Sequence, residues 1–443
     1  MVASGLGGVI IARAFGPTVR GEYAAITAWF GVALIVGDMG QPAALCFYVA
    51  HDPGRARQFV ATSRAMMLTT GAVAVGSGMV IAPLLARGDP TVASAYRIAF
   101  GATIVAFVAA SYTFSLQARD IRRWNVVQAS QSVLSAIAII VLWRLELLTL
   151  DIAMIILATT MLMQLIWAYN CCKRNGLAPG HAQAALVRPL ASYGVAQIAA
   201  VTPSVLNAQL DQLVLSQTVA PANLGRYAIA VSLTSLPIPI VAAIGNVVFP
   251  RLASQREVND ATRRLQRVAV LGSAGIAVAI LVPLAVVSYW LVPLVFGVGY
   301  RGAVPLLWLL TPGAIFLASG QVVGDLLRGR NFPNVVARAQ GLAAIFTVVL
   351  LLALLPVVGV AGAAIASTIS YGIAFAAMLR SLKRLPRHAR GSGRLPVVAT
   401  DSRISGHSAA GGRALSHRQR IRSRVPLHGH RQTRTRFVIW RRP

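Results

Sequence analysis

Acidic side chains are what this chain has least of: 12 Asp and Glu in 443 residues, against 41 Lys and Arg. Only 12% of the residues are charged at all, about half the roughly 25% of an average soluble domain. That shortage excludes a disordered chain and an ordinary cytosolic enzyme. The three cysteines, Cys46, Cys171 and Cys172, support neither a disulfide framework nor a metal site. Cys171 and Cys172 are adjacent at the end of an apolar run and read as small residues at a helix end. No basic segment and no small-residue cleavage site accompany the first apolar run, which begins at Val2, so no cleaved leader is expected. Walker-type phosphate loops, nucleophile motifs and metal-spaced His, Cys or carboxylate clusters are missing from the sequence. Neither catalysis nor a cofactor is therefore expected.

What the chain has in quantity is apolar surface. Apolar residues make up 56%, and the mean hydropathy is +0.67. Windows of about 20 residues, the length that spans a bilayer as a helix, pick out apolar stretches at roughly 2–15, 23–49, 64–86, 95–116, 125–143, 149–171, 191–217, 224–249, 268–296, 303–327, 335–356 and 358–379. The first is short, as a helix clipped at its front would be. Connections are too short to hold a soluble domain, and backbone groups in lipid must be satisfied within each segment. The expectation is an all-α polytopic membrane protein of about twelve transmembrane helices.

The net charge of +29 would suggest nucleic-acid binding in a soluble protein, but here its placement matters more. With the N-terminus in the cytoplasm, seventeen basic residues fall in inside connections and seven in outside ones. That is the bias of the positive-inside rule, and it puts both termini in the cytoplasm. Residues 386–443 are a separate matter: fourteen Arg against one acid, Asp401, with much Ser, Gly and His. Such a tail is expected to be disordered. Its composition suits anionic headgroups, and it is equally what a shifted reading frame in a GC-rich gene produces. No nucleic-acid partner is expected.

One internal repeat stands out. Pro17, Gly21, Tyr23 and Ala24 recur as Pro221, Gly225, Tyr227 and Ala228, each 204 residues later. Each Pro leaves a helix, each Gly allows a turn, and each Tyr suits a membrane interface. The repeat falls between the first and second stretches and again between the seventh and eighth. Six helices intervene, so two halves of like orientation are expected: a six-helix bundle over 1–172, a cytoplasmic linker over 173–188, and a second six-helix bundle over 189–385. Parallel bundles facing each other form a transporter, with the path between them.

Ionisable residues deep in a span mark a cavity or a partner. Asp38 lies well into the second stretch with Gln41 close by, as a coupling carboxylate, a sugar-hydroxyl acceptor, or half of an ion pair holding the bundle. Asp211 sits among Asn207, Gln209 and Gln212, which suggests a hydrated face. Asp325, near the end of the tenth stretch, reads more as an interfacial group. Arg64 and Arg338 are candidates for a basic cavity wall, although Arg near a helix end also snorkels to headgroups. Gln128, Gln131, Gln164, Gln197 and Gln321 line a path or bond between helices. Prolines crowd the second half, and Pro203 is the favoured hinge. Gly362, Ala366 and Ser370 suit close helix packing.

Asp211-Gln-Leu-Val-Leu, Pro221-Ala-Asn-Leu-Gly-Arg-Tyr-Ala, Phe249-Pro-Arg-Leu, Phe296-Gly-Val-Gly-Tyr and Gly359-Val-Ala-Gly-Ala-Ala-Ile-Ala, with Ala14-Phe-Gly-Pro and Gly21-Glu-Tyr, stand in an order that resembles the polysaccharide-biosynthesis flippases. That Wzx-like family belongs to the multidrug/oligosaccharidyl-lipid/polysaccharide exporter superfamily, and the resemblance runs from about residue 5 to 385. It implies a carrier in the bacterial cytoplasmic membrane that moves undecaprenyl-pyrophosphate-linked oligosaccharide outward by alternating access, for O-antigen, capsule or exopolysaccharide assembly. Membrane lipids, a polysaccharide polymerase and chain-length machinery are the implied partners. A cation-coupled multidrug or metabolite antiporter of the same superfamily would share the fold. A lipid II flippase usually carries two further helices. The Gly/Asp/Arg pattern of a major-facilitator carrier is absent from residues 50–60. A polymerase would need a larger outside loop.

Overall fold

The computed structural model describes residues 2–178, 180–253, 260–330 and 332–384. Helices carry nearly all of them, and no strand occurs among the described residues. In the first half these are α1 (Val2–Gly37), α2 (Gln41–His51), α3 (Ala56–Leu85), α4 (Pro90–Arg119), α5 (Ile121–Arg144) and α6 (Leu150–Arg174). The second half has α7 (Ala184–Thr218), α8 (Pro221–Thr234), α9 (Ile238–Ala253), α10 (Asp260–Phe296), α11 (Ala303–Gly329), α12 (Pro333–Val358) and α13 (Val360–Arg384). The Arg-rich tail after residue 386 lies outside the described residues.

Among the described residues, nine helices are long and apolar enough to cross a membrane, or ten if the bent pair α8–α9 is one span. The chain is thus a multi-span membrane protein, with fewer clear spans than the twelve expected. Three features of the sequence account for the difference. The first stretch and most of the second are two helices that meet without a loop at a kink, where Gly16 (φ 67°, ψ 178°) precedes Pro17, and α1 takes in both. The second stretch then stops at residues 38–40, and its remainder is the short α2. Finally, α7 carries Asn207, Gln209, Asp211 and Gln212 in an otherwise apolar run and is not among the nine.

The scarce acids mostly start or end helices. Asp89 Oδ1 accepts from the N–H groups of Thr91 (2.8 Å) and Val92 (3.2 Å) at the head of α4. Asp120 does the same for Arg123 N–H at the head of α5 (3.1 Å), and Thr149 Oγ1 accepts from Ile152 N–H at α6 (3.3 Å). Each satisfies a donor that the helix itself leaves open. The linker after α6 is pinned to α3: Gln183 N–H donates to Thr62 Oγ1 (3.0 Å) and Gly180 N–H to Arg57 O (3.2 Å).

The two halves meet at the repeat. A Cβ on Gly21 would lie 1.8 Å from Pro221 O, and one on Gly225 would lie 2.0 Å from Pro17 O. The repeated proline and glycine positions therefore touch one another, backbone to backbone, as in close packing of membrane helices through small residues. Two clamps flank them. Tyr300 Oη donates to Ala12 O (2.8 Å), and Arg87 donates to Ser216 O (2.8 Å) and Val219 O (3.0 Å). Ala12 and Ser216 are themselves 204 residues apart, so each half grips the equivalent carbonyl on the first helix of the other. Tyr300 grips a helix of the opposite half, and so does Arg87.

The two seams between the halves differ. Along one, α1 and α2 follow α7: Trp29 Nε1 donates to Ser216 Oγ (3.0 Å), and the backbones touch again where a Cβ on Gly40 would be 2.1 Å from Gly194 O. Gly40 is left-handed (φ 67°), so glycine serves both the turn and the contact. Along the other seam, between the start of α1 and α8–α9, the halves separate around a cavity.

Gly21→Ala and Gly225→Ala should each lower the apparent melting temperature of the purified protein, an overpacking cost of about 1–3 kcal/mol. Gly275 in α10 meets nothing within 4 Å of its Cβ position, so Gly275→Ala should be neutral or stabilising by up to about 1 kcal/mol. Equal losses in all three, measured in one detergent, would contradict the contact.

Candidate functional site: a one-sided cavity between the halves

The cavity between the halves has a volume of about 860 Å³ and is walled by α1, α5, α8–α9 and α10. Its polar wall is Arg20, Tyr23, Gln131, Ser132, Ser135 and Ser232. Its mouth is different: Leu6, Leu236 and Ile240 line it and are each about half exposed. Large apolar side chains left exposed on a membrane protein face lipid at little cost. The space is therefore amphipathic: a few polar side chains lie among a mostly apolar lining, whose buried members include Ile11, Ile139, Ile229 and Phe296.

Arg20 is the residue that matters most here, and it belongs to the turn that the charge count places outside. The structure buries it instead, to 9% exposure, directly before the Gly21–Gly225 contact. Its guanidinium carbon lies 5.3 Å from the centroid of the Tyr23 ring, and its Nε is buried without a hydrogen-bond partner. Both ion pairs among the described residues, Arg123–Asp120 and Arg328–Asp325, join residues three apart and involve neither Arg20 nor any second half-to-half link. A cation–π contact contributes about 0.5–2 kcal/mol, whereas taking an ion out of water costs several kcal/mol. The ring alone does not balance the burial.

Asp211 is the other charged residue type that is buried among the described residues, at 2% exposure. Its Oδ2 accepts from the Tyr227 hydroxyl and from Ser367 Oγ (3.2 Å), and its Oδ1 from the N–H of Gln212 (2.7 Å). One turn along α7, Asn207 Oδ1 accepts from Thr347 Oγ1 (2.6 Å), while Asn207 Nδ2 is buried with no partner. Asn207 and Asp211 thus come together in a polar seam joining α7, α8, α12 and α13, packed inside the second half rather than on a hydrated face. The repeated tyrosines have parted company. Tyr227 is fully buried (0%) against an acid, not held at an interface, and Tyr23 is half-buried under a cation.

The other expected residues are scattered. Asp38 sits at the break between α1 and α2, where its Oδ1 accepts from Gly40 N–H (2.8 Å) and supports two left-handed residues, Met39 and Gly40. Gln41, 1% exposed, accepts from Ser63 Oγ (3.1 Å), and its Nε2 is buried and unpartnered. Arg64 donates to Tyr112 Oη (3.3 Å), within the first half. Asp325 pairs with Arg328 (2.9 Å), in keeping with an interfacial group. Arg338 is exposed on α12. Pro203 lies inside α7, which runs as one helix from Ala184 to Thr218; bends fall at Gly16, at residues 38–40 and between α8 and α9 (41°). Gln164 Nε2 donates to Gln128 Oε1 (2.7 Å), and Gln131 lines the cavity. Arg20 was legible only as the one position of the repeated turn where a cation faces an apolar counterpart, Leu224.

A bundle of two related halves, closed at one end and hollow along one seam, is a transporter architecture, and known structures agree. An inward-facing multidrug resistance MATE family transporter of the MOP superfamily superposes with TM-score 0.73 over 86% of this chain and 94% of its own, at 12% identity. The lipid II flippase MurJ, in an inward closed conformation, gives TM-score 0.73 over 87% and 86% at 13% identity. Residues 3–256 match the family described as "Polysaccharide biosynthesis protein", and the chain belongs to that family. An uncharacterised membrane protein of Methanocaldococcus jannaschii is 24% identical over 208 residues, spanning 46% of this chain and 41% of that protein.

Removing the Tyr227 hydroxyl leaves Asp211 buried with one donor fewer, which costs about 1–3 kcal/mol. Tyr227→Phe should accordingly lower the apparent melting temperature more than Tyr289→Phe, whose ring is 63% exposed. An indistinguishable pair of melting curves would show that Asp211 does not depend on that bond.

Proposed function

We propose that this protein is a flippase for lipid-linked oligosaccharide of the undecaprenyl-pyrophosphate type, acting in the bacterial cytoplasmic membrane by alternating access. Its product would supply O-antigen, capsule or exopolysaccharide assembly, with polymerase and chain-length machinery acting after it. The observation that carries the reading is the amphipathic cavity. A glycan and its phosphates need hydrogen-bonding walls, a prenyl chain needs lipid, and one space offers both through a mouth lined by Leu6, Leu236 and Ile240. Membership of a polysaccharide biosynthesis family and a fold shared with a lipid II flippase support it. With the basic connections inside, both termini are cytoplasmic and the Gly21–Gly225 contact closes the outer end. Opening that contact while the opposite end closes would carry the headgroup across, with the chain remaining in the bilayer throughout. Asp211, buried with no cationic partner among the described residues, is the group best placed to couple the cycle to a cation.

Proteoliposomes containing fluorescent lipid-linked oligosaccharide test the proposal. Protein-dependent exchange of the lipid between leaflets is the expected result. No exchange from verified full-length protein would overturn it, and cation-driven efflux of an organic dye in the same vesicles would place the protein with the multidrug antiporters.

A further inference from the structure

The two clamps at the glycine end are chemically unlike. Tyr300 reaches Ala12 O with a neutral hydroxyl, whereas Arg87 brings a cation to two neutral acceptors, Ser216 O (2.8 Å) and Val219 O (3.0 Å). Those carbonyls stand at the C-terminal end of α7, where a helix leaves its last acceptors open and favours a cation. Arg87 also lines a second, smaller cavity of about 220 Å³, together with Glu22 of α1 and Asp89 at the head of α4. Neither acid belongs to an ion pair among the described residues, and the capping bonds of Asp89 use Oδ1. Tyr96 lines the same cavity, and its hydroxyl is buried with no partner. A guanidinium thus rests on carbonyls of the opposite half while two carboxylates of its own half stand beside it. We infer that Arg87 is a charge switch for the glycine end. It holds the closed state through the two carbonyls and, on opening, turns to the carboxylates of Glu22 and Asp89.

The internal repeat supplies an independent argument. Position 22 recurs 204 residues later as Arg226. Arg226 is bonded to the next loop at that end of its own half, its Nε donating to Gly299 O (3.2 Å), one residue from the Tyr300 that makes the other clamp. In the first half the equivalent tie would run from Glu22 to the loop that carries Arg87, and Arg87 crosses to the opposite half instead. Turning Arg87 to Glu22 gives the first half the bond that the second already has. The loop is also strained while the clamp is made, since Arg87 is left-handed (φ 52°) ahead of Gly88 (φ 86°). Carboxylates beside the clamp ease its release, because the guanidinium passes from one set of acceptors to another and keeps its donors satisfied. The inference rests on the alternating-access reading for the opening itself, while the residues that exchange come from the second cavity and the repeat.

Spin labels at Arg97 and Arg301, both exposed, test it in the full-length protein in nanodiscs with Cys46, Cys171 and Cys172 replaced. The readout is the ratio of open to closed glycine ends with undecaprenyl-pyrophosphate-linked oligosaccharide present. Glu22→Gln combined with Asp89→Asn, which keeps a capping side chain, should lower that ratio about twofold to fivefold, the range of an ion pair near water. The same pair of changes should have no effect in an Arg87→Gln background. Arg87→Lys keeps the charge without the planar fork that holds two carbonyls at once, so it should raise the ratio by a similar factor. It carries the test alone if Arg87→Gln does not fold. A drop of equal size with and without Arg87 would make the acids merely structural and overturn the switch. An unchanged or raised ratio in the acid variant overturns it too, as does an unchanged or lowered one in Arg87→Lys. An end that stays closed in every variant sinks the opening and the switch together, whereas an end that opens alike in all of them sinks the switch and keeps alternating access.

Discussion

The backbone contact between Gly21 and Gly225 is the constraint on which the rest depends. Neither position has room for a single further carbon, since each Cβ would fall about 2 Å from a proline carbonyl of the opposite half. Two helices that approach this closely bring their whole ends together. The loops that follow α3 and α10 then reach across and bond to Ser216 and Ala12. In a bilayer, where apolar burial between helices gains little over lipid, such close packing and interhelical hydrogen bonds carry the association. The contact is local, so it shuts one end and leaves the space beyond it free to open along one seam.

Charge is used with equal economy. Three of the acids, Asp52, Asp89 and Asp120, cap helices, where they satisfy N–H groups that lipid cannot. Two charged side chains are buried among the described residues, Arg20 and Asp211, and they do not pair. Each instead lies against a repeated tyrosine, Tyr23 in one half and Tyr227 in the other. The two tyrosines thus have opposite neighbours: Tyr23 lies under a cation that lines the cavity, and Tyr227 donates to an acid of α7 that also accepts from Ser367.

Much of this was legible in the sequence, though not evenly. Apolar stretches predicted the helices, because lipid demands length and hydrophobicity that composition reports directly. The repeat of Pro17, Gly21, Tyr23 and Ala24 announced two related halves. It did not announce that its two copies touch, since periodicity locates elements without pairing them. The polar run of α7 drew attention to Asn207 and Asp211, while their partners Thr347, Tyr227 and Ser367 come from three other helices. Asp38 looked like a lone charge deep in a span; its break-capping role depends on the left-handed Met39 and Gly40, which no hydropathy window detects. Arg20 was hidden by its position in a turn, where a cation is ordinarily solvated.

The central claim is that the glycine end and the opposite end open in alternation around the cavity. Paired spin labels measure this most directly. One pair at Arg97 and Arg301 reports the glycine end, and one at Arg123 and Lys383 the other; all four side chains are exposed. Cys46, Cys171 and Cys172 would first be replaced, and distances recorded with and without lipid-linked oligosaccharide. The account predicts that substrate populates a second state, longer across the first pair and shorter across the second. Distances that stay fixed at both ends, or that lengthen together, while translocation proceeds would contradict it.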